Sequence, residues 1–499
     1  CLRILSFPFG FITILSLFAT FLVVNLVEWV KMTCGNVSFS IILLQLTSPI
    51  KGTDSGIINS IIKTAVVPPV LLAVAAVLCY LFIVRGMYAL EDLPVKKIPR
   101  WSKICIEVVM VVFFLHTVQV QGTEIGMWDY IQSVRESSDF YEKEYVNPAK
   151  VKMTFPKEKK NLIYIFMESM ESSYADKEDG GTMDDNYIPN LTKLARENVQ
   201  FTDKKDGKVG GPVCLEATAY TAGGLVAQTS AINLKVMNSG AVSDSFLPNL
   251  TALGDILNKQ GYNQMFLCGS DGDFAGRDAY FKTHKDYQIE DYKAAIKEGD
   301  IPKDYKVYWG HEDKVLYERA KKNLKKLSKE GKPFNLTMLT VDTHFPNGYI
   351  CDLCENKYDT TYGNAVACAD RQVYDFVQWI KKQDFYEDTT IIIAGDHTSM
   401  VDTGSKFWKS LSNDYQRTVY NAIINPQCAY KKKVTTKRKF STMDMFPTTL
   451  AALGVEIDGN KLGLGTNLFS GEETLREELG ANYINKELKR NDKMYNQFY

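Results

Sequence analysis

The stretch Asn161-Leu-Ile-Tyr-Ile-Phe-Met167 is an uninterrupted apolar run of strand length, and it ends at the acidic residue Glu168. A strand with one face in water would alternate apolar and polar side chains, and this run does not. A continuous run is typical of a strand that is covered on both faces, as in the parallel sheet of an α/β fold. We therefore expect this segment to lie in the middle of a parallel sheet.

Short apolar runs alternate with helix-like segments over the rest of the chain. We predict further strands at residues 199–202, 264–268, 334–341 and 390–394. We predict helices at residues 189–198, 249–260, 275–284, 312–329 and 362–382. Strands that alternate with helices in this way indicate an α/β domain with a doubly wound, mostly parallel sheet, which we assign to residues 161–499.

Polar residues with ligand chemistry follow the predicted strands. Four of them lie just past the C-terminal end of an apolar run: Glu168, His344, Asp396 and His397. In open α/β sheets, ligands bind beyond the carboxyl ends of the strands. Carboxylates and imidazoles, with a hydroxyl oxygen, can bind a hard or borderline divalent ion. Each residue alone is more often a helix cap or part of a solvated turn, but their shared placement favours a metal site.

Thr221 lies at the centre of the small-residue stretch Glu216-Ala-Thr-Ala-Tyr-Thr-Ala-Gly-Gly-Leu-Val-Ala-Gln228. A helix-forming run follows at once, so Thr221 is expected near a helix N-terminus, where unpaired N–H groups favour an anion. That is a suitable place for a nucleophile that attacks a phosphate. The alternative is an ordinary helix cap at Thr221 or Thr218. The strand-end residues favour the nucleophile.

Several motifs occur together in one order: Glu168 after the first strand, Tyr220-Thr-Ala-Gly-Gly-Leu-Val-Ala227, Phe274-Ala-Gly-Arg277, Asp342-Thr-His-Phe-Pro-Asn-Gly348 and Gly395-Asp-His397. In this order they resemble the sulfatase-like phosphoglycerol transferases of the alkaline-phosphatase superfamily. The resemblance continues in Phe440-Ser-Thr-Met-Asp-Met-Phe-Pro-Thr-Thr-Leu450 and Leu462-Gly-Leu-Gly-Thr-Asn-Leu-Phe469. It is closer to the branch that modifies osmoregulated periplasmic glucans than to the lipoteichoic acid synthases.

The resemblance implies a nucleophile and a set of metal ligands. Thr221 matches the nucleophile of the family. Glu168, Asp396 and His397 match its metal ligands, and the Thr221 oxygen would complete the shell. We expect Mn²⁺ in this oxygen-rich site, with Mg²⁺ or Zn²⁺ as alternatives.

The resemblance also implies residues that act on the substrate. Arg277 and His344 match positions that hold the phosphoglycerol group and assist catalysis, and Phe274 belongs to the same substrate-binding motif. Lipoteichoic acid synthases carry a Trp near the arginine, whereas Ala275 stands here. The sulfatase nucleophile pattern, a Cys or Ser followed by Pro and Arg, does not occur, so sulfate-ester hydrolysis is not expected.

The activity that the resemblance implies is a two-step transfer. Thr221 would attack phosphatidylglycerol, release diacylglycerol and pass the phosphoglycerol group to a hydroxyl of an extracytoplasmic glycan. One alternative is a phosphoethanolamine transferase or phosphodiesterase with the same metal and threonine chemistry. Another is an inactive membrane-anchored protein that binds glycan or lipid.

The N-terminal part of the chain has a different composition. Apolar segments at residues 7–30, 65–84 and 104–120 each approach the ~20 residues that cross a bilayer. We therefore predict a membrane anchor at 1–122 with about three transmembrane helices, then a juxtamembrane helix and linker at 123–160. A buried helix is the alternative for the third segment. Because the chain begins at Cys1 and not at Met, a further span could precede it.

The basic residues predict the orientation. Residues 85–103, between the second and third apolar segments, carry five Lys or Arg, against three in the longer stretch 31–64. The positive-inside bias puts residues 85–103 in the cytoplasm. The domain after about residue 121 would then lie on the extracytoplasmic, periplasmic side of the cell membrane.

The net charge bears on the class of partner, and the cysteine content bears on disulfides. The formal net charge of −1 over 499 residues argues against a nucleic-acid partner. Six cysteines fall in the outer domain: Cys214, Cys268, Cys351, Cys354, Cys368 and Cys428. The pair in Cys351-Asp-Leu-Cys354 resembles a zinc or redox pair, but no second such pair follows. We expect a local disulfide there, either between these two cysteines or between one of them and Cys368.

Overall fold

The computed structural model describes residues 2–34, 39–40, 42–43, 55–89, 100–205, 207–235, 245–285 and 287–499. The chain divides into two compact units. One comprises Cys1–Phe39 and Thr53–Ile131, and the other comprises Ser40–Gly52 and Gln132–Tyr499. The boundaries that the sequence suggests at residues 122 and 160 stay predictions beside this division.

The N-terminal unit consists of long apolar helices: α1 (Leu2–Cys34), α2 (Ser55–Ile61), a π-helical turn (Ile62–Val66), α3 (Val67–Ala89) and α4 (Arg100–Glu124). Among the residues that the structure describes, three stretches are long and apolar enough to cross a membrane: Phe11–Met32, Ile58–Cys79 and Ile104–Glu124. The prediction of three apolar helices is confirmed. Pro68 and Pro69 have no backbone N–H to donate to the preceding turn, and the π-helical turn lies just before them.

Six strands form the central sheet of the second unit, within the described part of the chain: β1 (Asn161–Met167), β2 (Asn263–Cys268), β3 (Gln288–Glu290), β4 (Phe334–Leu339), β5 (Thr389–Gly395) and β6 (Asn421–Ile424). Their order is β3-β2-β4-β1-β5-β6, and β6 alone runs antiparallel to its neighbour. β1 lies between two parallel strands, and its residues 162–167 are all buried. The predicted mostly parallel α/β sheet is confirmed, and the position of β1 explains why its run is apolar throughout.

Helices cover both faces of the sheet. The helices after α4 are α5 (Met127–Arg135), α6 (Phe140–Glu144), α7 (Pro189–Glu197), α8 (Thr221–Ser230), α9 (Leu253–Lys259), α10 (Arg277–Thr283), α11 (Tyr292–Glu298), α12 (Asp313–Leu327), α13 (Thr361–Ile380), α14 (Met445–Ala452), α15 (Leu475–Leu479) and α16 (Ala481–Lys489). Ile163 and Ile165 of β1 pack in one core with apolar residues of α7, α12 and α13. Tyr164 points to the other face, where its hydroxyl lies 3.0 Å from Gln228 of α8.

The predicted strand at 199–202 is wrong. Val199 forms an isolated bridge with Ile423, and the next residues form no strand. The Asn421 side chain takes the place of a ladder there: it accepts the Phe201 N–H at 2.9 Å and donates to the Phe201 carbonyl at 2.9 Å. The chain beside β6 is therefore held by a side chain and not by strand pairing.

The predicted helix at 275–284 begins later than expected. Phe274–Gly276 form a 3₁₀ turn, and α10 starts at Arg277. Ala275 and Gly276 adopt left-handed conformations, with φ of 56° and 71°, which an α-helix does not contain. Arg277 is thereby placed at the first position of the helix, after a sharp bend.

The segment before β1 belongs to the second unit. Ser137–Ser138 pair with Asn491–Asp492, and Met153–Thr154 pair with Glu456–Ile457. The Tyr141 side chain is buried, and its hydroxyl lies 2.7 Å from the Asn233 amide oxygen. This aromatic segment therefore packs onto the C-terminal part of the chain.

Candidate active site

The candidate site forms where β1 and β5 end side by side. The two strands are parallel, with Met167 opposite Gly395. Glu168 and Asp396 therefore leave the sheet next to each other, and both are buried. One Asp396 oxygen accepts backbone N–H groups, from Ser169 at 2.8 Å and from His397 at 2.7 Å. The backbone at the strand ends thus fixes the direction of this carboxylate.

Glu168, Asp396 and His397 form a group that could hold a metal ion. Their ligand atoms all lie within 4.8 Å of one another. His397 Nε2 is 3.3 Å from a Glu168 oxygen and 3.5 Å from Asp396 Oδ2. His397 Nδ1 lies 2.8 Å from the Thr398 carbonyl, so it carries a proton and donates, and Nε2 faces the carboxylates.

The donor set fits a divalent cation. Asp396 Oδ2 is buried, and no residue that the structure describes donates a hydrogen bond to it. A buried carboxylate oxygen without a partner is costly unless a cation neutralises it. Two carboxylates and one imidazole are ligands that Mn²⁺, Mg²⁺ and Zn²⁺ accept.

The electrostatics of the group agree with this fit. Burial and the adjacent Glu168 carboxylate raise the pKa of Asp396 to about 8. Burial opposes charge on His397, but Asp396 and Glu168 outweigh it and raise its pKa to about 10. Burial also opposes charge on Glu168, yet the His397 and His344 imidazoles lower its pKa to about 2. The negative charge of the Glu168 and Asp396 carboxylates must be neutralised. Either a proton on the His397 imidazole or a bound metal ion would neutralise it, so the two compete.

Thr221 joins the group from the other side. It is the first residue of α8 and is partly exposed. Its Oγ1 lies 3.3 Å from Glu168 Oε2 and 3.4 Å from His397 Nε2. The structure therefore brings the four predicted metal ligands together at the end of the sheet.

Gly224 allows α8 to approach this closely. A Cβ atom at this position would lie 2.1 Å from the Asp396 carbonyl oxygen, well inside any real contact. One turn further along the helix, the Gln228 side chain donates to the Gly395 carbonyl at 2.9 Å. The helix N-terminus is thus held against the end of β5, which sets the place of Thr221.

Arg277 is buried and held by three hydrogen bonds. Its Nε donates to the Phe274 carbonyl at 3.0 Å, and its Nη2 donates to Ser270 Oγ at 3.0 Å and to the Asp271 carbonyl at 2.7 Å. The guanidinium also lies over the Phe274 ring, 5.5 Å from its centre. The direction of the cation is therefore fixed before any substrate binds.

His344 is partly exposed and follows β4, the other neighbour of β1. Its Nδ1 lies 2.8 Å from the Phe345 carbonyl. Burial lowers the pKa of His344, and the positive charges of His397 and Arg277 act in the same direction, whereas Glu168 opposes them. His344 therefore shares one electrostatic environment with the metal-ligand group and with Arg277.

Two aromatic residues near His344 were missed by the sequence reasoning. Trp309 lies between Phe274 and His344, with ring centres 5.3 Å and 4.6 Å away. The Tyr308 hydroxyl donates to the His344 carbonyl at 2.5 Å. Trp309 Nε1 is buried, and among the described residues nothing accepts its hydrogen. An indole thus lies beside the predicted substrate-binding residues although Ala275 occupies the expected Trp position.

The sequence offered one signal for this loop. Tyr308 and Trp309 belong to Val307-Tyr-Trp-Gly-His311, which contains one of only five histidines in the chain. The loop follows no predicted strand, so its position in the sequence did not indicate that it belongs to the site. Its neighbour His311 is buried, which lowers its pKa to about 4.

Comparison with known proteins shows the family of the chain. A family model described as Sulfatase matches residues 160–455. The chain is similar to phosphoglycerol transferase I of Salmonella choleraesuis (strain SC-B67) and of Shigella flexneri. Each is 33% identical over 340 residues, which cover 66% of this chain and 41% of the relative. The match therefore spans less than half the length of these curated relatives.

Solved structures show the same fold. The integral membrane protein lipooligosaccharide phosphoethanolamine transferase A (EptA) from Neisseria meningitidis is 14% identical, with a TM-score of 0.52 over 88% of this chain and 83% of its own. The lipoteichoic acid synthase LtaP from Listeria monocytogenes is 18% identical, with a TM-score of 0.50 over 64% of this chain and 79% of its own. These likenesses show the fold alone, and the three apolar helices are what supports a membrane protein.

Proposed function

Because the chain belongs to the sulfatase family, we propose that it transfers phosphoglycerol from phosphatidylglycerol to a hydroxyl of an extracytoplasmic glycan. The observation that carries this proposal is the position of Thr221, whose Oγ1 lies 3.3 Å from Glu168 and 3.4 Å from His397. A hydroxyl at a helix N-terminus beside a candidate metal group suits attack on a phosphate. The relatives that are named phosphoglycerol transferase I favour phosphoglycerol as the transferred group.

The first step forms a bond between Thr221 Oγ1 and the phosphorus and breaks the bond from phosphorus to the diacylglycerol oxygen. His344 takes the proton of the Thr221 hydroxyl and passes it to the departing oxygen, so diacylglycerol leaves as an alcohol and a phosphoglyceryl-threonine remains. A divalent ion held by Glu168, Asp396 and His397 would supply positive charge that favours the deprotonated form of the hydroxyl, and Mn²⁺ is our first choice.

Arg277 has the task of stabilising the phosphoryl oxygens, which gain charge in the transition state. Three hydrogen bonds already orient its guanidinium, so little reorganisation is needed when the substrate binds. The N-terminus of α8 adds its dipole on the side of Thr221.

His344 has the task of moving protons. Its Nδ1 proton is engaged by the Phe345 carbonyl, so its Nε2 can accept a proton. Its lowered pKa keeps the imidazole neutral near pH 7. In the second step it accepts the proton of the acceptor hydroxyl, whose oxygen bonds to phosphorus while the bond to Thr221 Oγ1 breaks. The same proton then returns to Thr221 Oγ1, which completes the transfer.

The aromatic residues provide the contact with the head group. Phe274 and Trp309 form an apolar wall beside Arg277 and His344. The buried Trp309 Nε1 has no acceptor among the described residues, so it can donate to a glycerol hydroxyl. This contact would replace the head-group contact of the Trp that lipoteichoic acid synthases carry near the arginine, where this chain has Ala275.

The N-terminal helices suit a lipid donor. The same chain carries the site and three helices apolar enough to cross a membrane, so the site stays close to the lipid. The distribution of Lys and Arg favours the extracytoplasmic, periplasmic side for the site.

The proposal is tested by trapping the covalent intermediate. The purified full chain is incubated with phosphatidylglycerol labelled in the head group, without acceptor, and intact mass is measured. We expect a phosphoglycerol adduct that maps to Thr221, is retained by Thr221→Ser and is lost in Thr221→Ala. Thr218→Ala removes a nearby hydroxyl that bonds to the Leu215 backbone and to the Thr442 hydroxyl, and it should keep the adduct.

Two results would overturn the proposal. An adduct that forms only from phosphatidylethanolamine would reassign the donor and favour a phosphoethanolamine transferase. No adduct from either lipid, with glycan or lipid binding unchanged in Thr221→Ala, would favour an inactive binding protein.

A further inference from the structure

A second group of ligand side chains lies outside the candidate active site. Cys351, Cys354 and Cys368 form a cluster in which all the sulfur atoms lie within 4.8 Å of one another. The Cys351 sulfur is 3.6 Å from that of Cys354 and 4.0 Å from that of Cys368. Cys351 and Cys368 are buried, and Cys354 is partly exposed. The cluster is thus closed on one side and open on the other.

The spacing of the sulfurs matches a metal-thiolate site. Zinc binds thiolates at about 2.3 Å with tetrahedral angles, which places neighbouring sulfurs about 3.8 Å apart. The distances of 3.6 Å and 4.0 Å lie on either side of that value. The chain reaches this arrangement from separate elements, because Cys351 and Cys354 are in a loop and Cys368 is in α13.

Hydrogen-bond donors surround the sulfurs. The Cys351 N–H donates to Cys354 Sγ at 3.3 Å. The Gln372 amide donates to Cys368 Sγ at 3.6 Å and to Cys351 Sγ at 4.0 Å. Gln372 is 8% exposed, and its Oε1 is buried without a donor among the residues with described positions. N–H groups directed at sulfur stabilise thiolates and orient metal ligands.

We propose that Cys351, Cys354 and Cys368 bind one zinc ion, with water at the open fourth position beside Cys354. Three thiolates select a thiophilic ion, whereas the oxygen-rich group at Glu168 suits a harder one. The chain would then hold two metal sites of different chemistry. The zinc site does not depend on the proposed transferase activity.

The zinc site would fix the loop that follows His344. Cys351 lies seven residues after His344 in the chain. Lys314 of α12 contacts the Asp352 carboxylate at 2.7 Å, and Arg371 of α13 donates to the Leu353 carbonyl at 2.6 Å. Zinc–sulfur bonds would join this loop to α13 more strongly than either of these two surface contacts does. Its role is therefore to position the segment that carries His344.

Cobalt substitution tests the proposal. The full chain is purified under reducing conditions and loaded with Co²⁺, and the sulfur-to-cobalt charge-transfer absorption is recorded. We expect the band in the wild type and in Cys428→Ser, and its loss in Cys368→Ser. Glu168→Gln should keep the band, because its site contains no thiolate. These variants separate the two metal sites.

A second measurement covers the case in which Cys368→Ser does not fold. A thiol-specific mercurial added to the wild-type zinc form should release about one zinc ion per chain, and Glu168→Gln should release the same amount. Absence of the band or of mercurial-released zinc in the wild type would overturn the proposal. So would a band that persists in folded Cys368→Ser, or a native disulfide between two of these cysteines found by peptide mapping.

Discussion

Replacing Gly224 by alanine tests whether the close approach of α8 to β5 sets the position of Thr221. The new Cβ atom would lie 2.1 Å from the Asp396 carbonyl oxygen and 2.8 Å from its carbon. To restore even a 3.0 Å contact, the helix must move by about 0.9 Å, because the interior has no free space to absorb the change. Thr221 lies three residues earlier on the same helix and must move with it.

The cost is expected in activity more than in stability. Overpacking costs about 1–3 kcal/mol, while alanine in place of glycine gains about 1 kcal/mol in a helix. A misplacement of about 1 Å can lower a rate by about 100-fold. We therefore expect the variant to fold and to form the Thr221 adduct about 100-fold more slowly.

The assay is the rate of adduct formation from labelled phosphatidylglycerol, followed by intact mass and accompanied by thermal unfolding. Gly223→Ala is the matched control, since its Cβ would meet the Ala217 carbonyl at 2.7 Å and the Tyr220 ring at 2.9 Å, and not Asp396. The control should lose less than about tenfold in rate. A wild-type rate in Gly224→Ala, or an equal loss in both variants, would refute the reasoning.

Three further predictions concern charge. Asp396→Asn removes one carboxylate from the metal group and should slow adduct formation by at least about 100-fold, whereas Asp388→Asn at the surface should not. Arg319→Met leaves the buried Glu290, 2.7 Å away, without its ion-pair partner, and should lower the free energy of unfolding in urea by about 3–5 kcal/mol. Lys314→Met breaks an exposed ion pair and should lower it by less than about 1 kcal/mol. Burial raises the pKa of Asp444 to about 6, so the folded state holds its proton where the unfolded state has lost it. Between about pH 4 and pH 6 Asp444 should therefore contribute a loss on the order of 3 kcal/mol of stability as pH rises, measured as the difference in slope between the wild type and Asp444→Asn. Equal slopes in the two unfolding series would contradict this.

The strands that could be predicted from the sequence are those whose side chains are apolar because both faces of the strand are buried. The run at 162–167 is apolar because β1 is covered on both faces, and the run at 391–394 in β5 is apolar for the same reason. β3 and β6 escaped prediction. β3 has only three residues, two of them polar, and four-residue β6 at the edge gives too short a pattern. Residues 199–202 show strand composition, but the Asn421 side chain takes the hydrogen bonds that a strand would need.

The residues of the candidate site also divide into those that the sequence could group and those that it could not. Glu168, Asp396 and His397 could be grouped because each follows a strand, and parallel strands end at one edge. Trp309 follows no strand, and only tertiary packing brings it to His344. The spacing of Cys351 and Cys354 is a known signal, and the sequence offers Cys368 as an alternative disulfide partner. The structure brings the three together as free thiols, which the sequence did not predict.

The central position of β1 has a consequence for how the site can move. Glu168 continues a strand that is bonded to β4 on one side and to β5 on the other. A local fluctuation that releases this residue has to break both ladders at once, and that approaches unfolding of the whole domain. Amide hydrogens at 162–167 should therefore exchange only through global opening. Substrate entry must then rely on the loops around the strand ends, while Glu168 at the end of β1 stays rigidly held.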